Sequence, residues 1–330
     1  MHQFKKILII QTAFIGDVIL ATSLIEKIHQ YFPEGTLHFL LRKGNEGLLK
    51  GHPYIAQLLI WNKSSGKTAN LLKLTREVRR SEYDLVINLQ RFFSSGILAG
   101  FSGAKKIVGF KKNPLSFLFT DSIQHTIGDG THEVERNLKL IESFTDGEFT
   151  QPKLYLNKDI KDKVREYQRE PFITIAPTSV WFTKQYPAEK WVEFLDQTAF
   201  EGKVFLLGGA GDFEACEKIK AATSRKEVIN LCGKLGLLES AALMEKAQMN
   251  YVNDSAPQHL ASAVDAPTCT IFCSTVPAFG FGPLSELKVI IETKDSLSCR
   301  PCGLHGHKSC PEGHFKCALT IETSSLESAL

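Results

Sequence analysis

Two open α/β domains, each wound around a parallel sheet, are what this sequence predicts, and three observations predict them. The chain has 330 residues, more than a single core ordinarily organises. Apolar, strand-like runs alternate with helical patterns through both halves. Between them, residues 145–171 lose hydrophobic periodicity and become polar and charged, with Pro152 and Pro171 bracketing a short helical pattern near 159–169. The domains are therefore expected at 1–157 and 158–330.

The first half reads as strands near 5–11, 36–42, 84–90 and 105–109, with amphipathic helices near 17–31, 68–81 and 132–144. The second half restarts the rhythm at Phe172-Ile173-Thr174-Ile175-Ala176 and continues near 204–207, 249–253 and 268–273, again with helices between. Parallel winding puts the loop after each strand at the ligand edge of its sheet. Two such domains facing each other leave a cleft between the carboxyl ends of both sheets, where a ligand is expected. No solenoid repeat and no low-complexity segment interrupts the pattern.

Composition narrows the function. With 43% hydrophobic and 23% charged residues the chain is that of an ordinary globular protein. No stretch supplies the roughly 20 apolar residues of a membrane span. The apolar run after Lys5-Lys6 is cut short by Gln11 and has no small-residue cleavage site, so no export signal is predicted and a cytoplasmic location with reduced cysteines is expected. That disfavours a two-domain solute-binding protein, which would need export. The net charge of +3 hides an asymmetry: residues 1–170 hold 25 Lys+Arg against 18 Asp+Glu (+7), and residues 171–330 hold 14 against 18 (−4). Lys105-Lys106 and Lys111-Lys112, with Arg76, Arg79 and Arg80, suit an anionic acceptor or the inner-membrane surface, or are simply solvated faces. A nucleic-acid module is disfavoured, because the second half is acidic and carries no aromatic-basic stripe.

The loops carry the chemistry. After the first strand comes Gln11-Thr12-Ala13-Phe14-Ile15-Gly16-Asp17, without the Gly-x-Gly-x-x-Gly of a dinucleotide site, which disfavours a dehydrogenase. Asp17 fits two roles: a first-turn acid favoured by the helix dipole, or a base for a bound hydroxyl. After the strand at 172–176, Thr178, Ser179 and Lys184 combine hydroxyls with an ammonium and suit a diphosphate. Gly208-Gly209-Ala210-Gly211-Asp212 permits close backbone approach, and Asp212 or Glu214 suits a ribose hydroxyl; a tight strand-to-helix turn explains the glycines equally well. Asn253-Asp254-Ser255-Ala256-Pro257-Gln258-His259 ends a strand and opens a helix. There Ser255 or Asp254 is expected to cap, and the first amides to form an anion site.

Gly16-Asp17, the segment from Lys184 to Pro187, Asn253-Asp254-Ser255 with His259-Leu260, and Phe281-Gly282-Pro283 together resemble glycosyltransferase family 9, the ADP-heptose:lipopolysaccharide heptosyltransferases. The resemblance spans essentially the whole chain in order and spacing. It implies a GT-B architecture in which the first domain binds the acceptor and the second the nucleotide-sugar. It implies Asp17 as catalytic base, Lys184 with the Thr178/Ser179 loop on the diphosphate, and Asp254 with the Ser255 and Ala256 amides on the donor sugar and phosphate. His259, Gly209, Asp212 and Glu214 complete the expected donor set. The implied partners are ADP-heptose and an anionic lipopolysaccharide core, reached from the inner face of the membrane. Two positions depart from the family pattern: Ala256 stands where Gly is common and Tyr186 where Trp is usual.

The residue types fit inversion. A nucleoside diphosphate leaves as a stable anion, helped by a lysine and backbone amides, so no acid is needed there. The incoming hydroxyl needs a base, and one base with one displacement inverts the anomeric carbon. No cofactor is expected for that step.

Four of the eight cysteines fall within residues 299–317, as Cys299, Cys302, Cys310 and Cys317, with His305, His307 and His314 among them. This spacing suits structural Zn²⁺, or iron, or mere proximity without metal. Some relatives, notably protein-modifying heptosyltransferases, resemble this segment more loosely with a four-cysteine iron finger; such a protein-modifying enzyme is the alternative reading. The remaining cysteines, Cys216, Cys232, Cys269 and Cys273, read as core residues.

Overall fold

The computed structural model describes residues 4–64 and 66–330, which form two compact units, one running to Tyr155 and the other from Leu156 to Leu330. In the first unit the strands are β1 (Lys6–Ile10), β2 (Thr36–Arg42), β3 (Ile55–Trp61), β4 (Leu85–Asn88), β5 (Lys106–Phe110) and β6 (Asp121–Ile123), with helices α1 (Ile15–Leu20), α2 (Thr22–Tyr31), α3 (Lys67–Arg80), α4 (Phe93–Gly100) and α5 (Glu133–Leu138). The second unit has β7 (Phe172–Ala176), β8 (Lys203–Leu206), β9 (Val228–Asn230), β10 (Asn250–Asn253), β11 (Thr268–Phe272) and β12 (Lys288–Glu292), with α6 (Lys158–Val164), α7 (Ala188–Gln197), α8 (Phe213–Ala222), α9 (Leu237–Met244), α10 (Ala256–Ser262), α11 (Lys316–Leu319) and α12 (Ser324–Glu327).

Both sheets are six-stranded and parallel. Their orders are β3-β2-β1-β4-β5-β6 and β12-β11-β10-β7-β8-β9. Numbered from its own first strand, each unit has the same order, 3-2-1-4-5-6, the doubly wound Rossmann arrangement. The winding reverses between β1 and β4 in the first unit and between β7 and β10 in the second. Those gaps are where the crevices open. The central strands are continuous apolar runs because helices cover both faces: Lys6–Ile10 reads KILII, and every residue of β4 and β7 is buried.

Several elements differ from their sequence-based bounds. The helix expected at 17–31 is two helices meeting at Ala21, because Thr22 Oγ1 donates to the Ile19 carbonyl (2.6 Å) and Ser23 Oγ to the Leu20 carbonyl (2.9 Å), tightening that turn. The helix expected at 132–144 stops at Leu138 and resumes as a short 3₁₀ turn, Glu142–Phe144. Helix α4 was not expected: its Gly96 and Gly100 mask a helical pattern, and they are there because a Cβ at Gly96 would strike Asn113 Oδ1 and one at Gly100 would lie 2.8 Å from Leu118 Cδ1.

The chain after the cysteine-rich segment is no loose tail. Ala318, Ile321, Leu326 and Ala329 join the buried cluster built on Ile173, Trp191, Phe194 and Tyr251. Tyr186 Oη donates to the Ile321 carbonyl (3.2 Å) and Tyr251 Oη to that of Leu326 (3.0 Å). Among the described residues no helix is long and apolar enough to cross a membrane.

Candidate active site

In the first unit Asp17 enters α1 directly after the β1 loop, on the crevice side of the sheet. The loop is tied down from three neighbours. Asn45 Nδ2 donates to the Ala13 carbonyl (3.1 Å), Lys63 Nζ to the Thr12 carbonyl (2.8 Å), and Gln90 Nε2 to Gln11 Oε1. Asp17 itself accepts from the Phe14 amide at 3.2 Å, so it closes the first turn of its helix. Burial, and then the negative charge of Glu133, push its carboxyl up to about 6 against the pull of the Phe14 amide and Lys112. Asp17 is thus a first-turn acid that is ionised at pH 7 yet some hundredfold more basic than an ordinary carboxylate.

Glu133 was not singled out in the sequence. It is buried, and His125 Nε2 lies 3.1 Å from Oε2 while Arg136 Nε donates to the same oxygen at 2.7 Å. Burial alone would raise it, but His125 and Arg136 outweigh that and keep it ionised. Lys112, which reaches solvent at one side, is drawn down to about 8 by burial of its ammonium, with Arg91 and Arg136 adding to the effect and Glu133 and Asp17 opposing it. The surface of this unit also carries exposed aromatics: Phe14 (61% exposed) beneath the Arg42 guanidinium, Phe92 beneath Arg91, and Phe117 (77%).

In the second unit the loops after β7 and β10 bring Lys184 and Asp254 together. Lys184 Nζ lies 2.7 Å from Asp254 Oδ2, both side chains being largely buried, and Thr275 Oγ1 donates to the same oxygen at 2.6 Å. Asn253 ties the two loops: its Oδ1 accepts from the Tyr186 amide (2.8 Å) and its Nδ2 donates to the Pro177 carbonyl (2.9 Å). Thr178 and Ser179 are half-buried in the same loop, where the Ser179 carbonyl accepts from Gln185 Nε2 (2.7 Å).

The expected capping is corrected. Ser255 occupies the N-cap position of α10 without capping it; its hydroxyl donates back to the Asn253 carbonyl at 3.4 Å, and Asp254 is spent on Lys184 and Thr275. Ala256 opens the helix and His259 is buried one turn later. Asp212 makes no capping bond to α8; its Oδ2 accepts from the Gly209 amide at 2.7 Å and closes the preceding 3₁₀ turn, while Glu214 is exposed on the first turn of α8.

Cys299, Cys302 and Cys310 lie in the segment between β12 and α11, and Cys317 in the first turn of α11. Cys299 Sγ lies 3.9 Å from His314 Nε2, the Phe315 amide donates to Cys310 Sγ at 3.4 Å, and Cys317 is buried. Burial and then the neighbouring thiols raise Cys302, and they push Cys317 up to about 11. Among the described residues, however, no three Cys, His, Asp or Glu groups stand at metal-holding spacing. As it stands the set does not form a closed metal site. The segment is also anchored by Arg300, which donates to the carbonyls of Cys273 (2.7 Å), Phe272 (3.1 Å) and Thr275 (2.7 Å) and pairs with Glu292.

Two doubly wound parallel units have the architecture of the GT-B type. The sequence profile of glycosyltransferase family 9 (heptosyltransferase) matches residues 71–314, and the chain belongs to that family. It is 29% identical over 279 residues to lipopolysaccharide heptosyltransferase 3 of Escherichia coli K12, covering 80% of this chain and 81% of that one. Among solved structures, the ADP-heptose lps heptosyltransferase II of E. coli has the same fold, with a TM-score of 0.81 at 21% identity over 98% of this chain and 97% of that one. The dodecameric iron-containing heptosyltransferase TibC of enterotoxigenic E. coli, solved with ADP-D-beta-D-heptose, gives 0.61 at 13% identity over 100% of this chain and 76% of that one.

Proposed function

We propose that this protein transfers heptose from ADP-heptose to an anionic lipopolysaccharide-core acceptor by a single inverting displacement, with Asp17 as base. The observation that carries the reading is the Asp17 carboxyl, held near 6 at the mouth of the first crevice by burial and Glu133. The acceptor hydroxyl oxygen forms its bond to the anomeric carbon as the bond to the diphosphate oxygen breaks. The proton passes to Asp17 and the electron pair leaves with ADP. Lys184 meets the charge that develops on the leaving oxygen, exchanging part of its pairing with Asp254 for the diphosphate. Asp254, released to that extent, accepts from sugar hydroxyls, while the amides of Ser255 and Ala256 and the hydroxyls of Thr178 and Ser179 contact phosphate. His259 lines the base of that pocket. The turn of Gly209, Asp212 and Glu214 lies against the nucleoside. No step in this chemistry calls for a metal or organic cofactor.

On the acceptor side, Lys63, Arg91 and Lys112 supply positive charge and Phe14, Phe92 and Phe117 an exposed apolar rim. That combination suits a lipid-borne anionic acceptor presented at the cytoplasmic face of the membrane. Purified protein given ADP-heptose and heptose-free core should release ADP and form a product whose new anomeric centre, read by NMR, is opposite to the donor's. Retention of configuration would refute the single displacement.

For the cysteine segment the finer reading is structural zinc, or iron, which requires the four thiols to close to ligand distance of one ion. One metal per chain in freshly purified protein, lost on Cys299→Ser with Cys302→Ser, supports it. Metal-free protein with four alkylatable thiols refutes it.

A further inference from the structure

Every residue of the short turn Phe182–Lys184 touches the cysteine-rich excursion. Phe182 packs on Phe315, ring centroids 5.0 Å apart. Thr183 is held twice by His307: its amide donates to the His307 carbonyl (3.1 Å), and its Oγ1 accepts from the His307 amide (2.8 Å). Lys184 lies against Gly306, where a Cβ would sit 2.8 Å from Thr183 Oγ1, 3.1 Å from Lys184 Cγ and 3.2 Å from Ser274 Oγ. Gly306 has φ +75°, so both its conformation and its surroundings demand glycine.

The second contact runs through Ser274. Its hydroxyl donates to Thr183 Oγ1 at 3.1 Å, and its carbonyl accepts from the Cys302 amide at 2.7 Å. Thr183 and Ser274 are 1% and 0% exposed. Each immediately precedes a residue that grips Asp254: Lys184 follows Thr183, and Thr275 follows Ser274.

We infer that the cysteine-rich excursion is a positioning device for the donor site, in which Gly306, His307 and the Thr183–Ser274 hydroxyl pair fix the backbone from which Lys184 and Thr275 reach Asp254. A lysine side chain is a flexible stem with a point charge at its end, so where its ammonium meets a diphosphate depends on how firmly its backbone is held. Thr183 is a positioning residue in this account, as is Gly306. The inference rests on the reading of Lys184 as the diphosphate lysine.

The test compares ADP binding by calorimetry, and donor and acceptor KM, in wild type, Lys184→Ala, Thr183→Val, Thr183→Ser, Gly306→Ala and the double variant Lys184→Ala/Thr183→Val. Losing the buried hydroxyl in Thr183→Val should weaken ADP binding roughly tenfold, raise donor KM to match, and leave acceptor KM and the circular dichroism spectrum unchanged. Gly306→Ala should do the same by pressing on Lys184. Thr183→Ser keeps the hydroxyl and should bind ADP within about twofold of wild type. Because Thr183 acts through Lys184, the double variant should bind ADP no more weakly than Lys184→Ala alone. Wild-type affinity in Thr183→Val and Gly306→Ala alongside a weakened Lys184→Ala overturns the inference and leaves Lys184 in place. Additive losses in the double variant overturn it too. Unchanged affinity in Lys184→Ala removes Lys184 from the phosphate site, and the inference falls with it.

Discussion

Asp17→Asn separates the chemistry of this carboxyl from its contribution to folding. The substitution keeps volume and an oxygen for the Phe14 amide but removes the charge. Turnover should fall about 10²–10⁴-fold, the usual worth of a general base, with ADP affinity unchanged. Stability should move the other way. The folded-state carboxyl titrates at about 6 and the unfolded one near 3.8, so the folded protein favours the protonated form; that stabilising preference is complete below pH 3.8 and is lost as the pH rises through 6. A gap of about two units is worth at most roughly 3 kcal/mol. Because Asp17 is only half-buried, water screens part of this, leaving about 1–2 kcal/mol as the expected gain from a permanently neutral Asn at pH 7.5. The gain should shrink below pH 6 and vanish near pH 4. Urea unfolding of both proteins at pH 7.5 and pH 4.5, followed by tryptophan fluorescence, reads this directly. A variant no more stable than wild type at pH 7.5 would contradict the buried, charge-opposed carboxyl, and near-wild-type turnover would take Asp17 out of the mechanism.

In wild type, kcat/KM for the acceptor should fall on the acid side with a midpoint near pH 6, and an acid limb near pH 4 would show that Asp17 is unperturbed. Glu133→Gln removes the charge that opposes Asp17 and should move that midpoint to lower pH, measured as an acid-limb shift in the pH–rate profile; it also leaves Arg136 and His125 without their carboxylate, so a stability loss of about 3–5 kcal/mol is expected in urea titration. Phe92→Ser with Phe117→Ser should lower cosedimentation with vesicles containing anionic lipid by about tenfold or more, since each ring contributes roughly 1.5–3 kcal/mol when fully buried; equal binding would refute the proposed membrane-facing role of these rings.

The four strands that sequence periodicity missed, β3, β6, β9 and β12, are the four sheet edges. Inner strands are covered on both faces and read as continuous apolar runs. Edge strands are short or partly wet, as in Asp121–Ile123 and Lys288–Glu292, and their patterns blur into loop. At the site, Asp17, Lys184 and Asp254 were legible because each follows an inner strand at the crevice, a position fixed by winding alone. Glu133 was not, since its carboxylate reads as an ordinary first-turn acid until Asp17 is placed near it. Thr183 was also illegible, because its partner His307 lies 124 residues away and contributes backbone groups that any residue type supplies.

The return of the chain into the second core sets an order for synthesis. Residues 1–155 contain everything their own core needs, so the first unit is able to close while later residues are still being made. The second unit is not. Ala318, Ile321, Leu326 and Ala329, and the carbonyls awaited by the Tyr186 and Tyr251 hydroxyls, emerge only after all six strands of their sheet. Until then a sheet with strands as apolar as Phe172–Ala176 stands with part of its covering missing, and nascent chains halted before residue 318 should yield a protease-resistant first unit beside a digestible second.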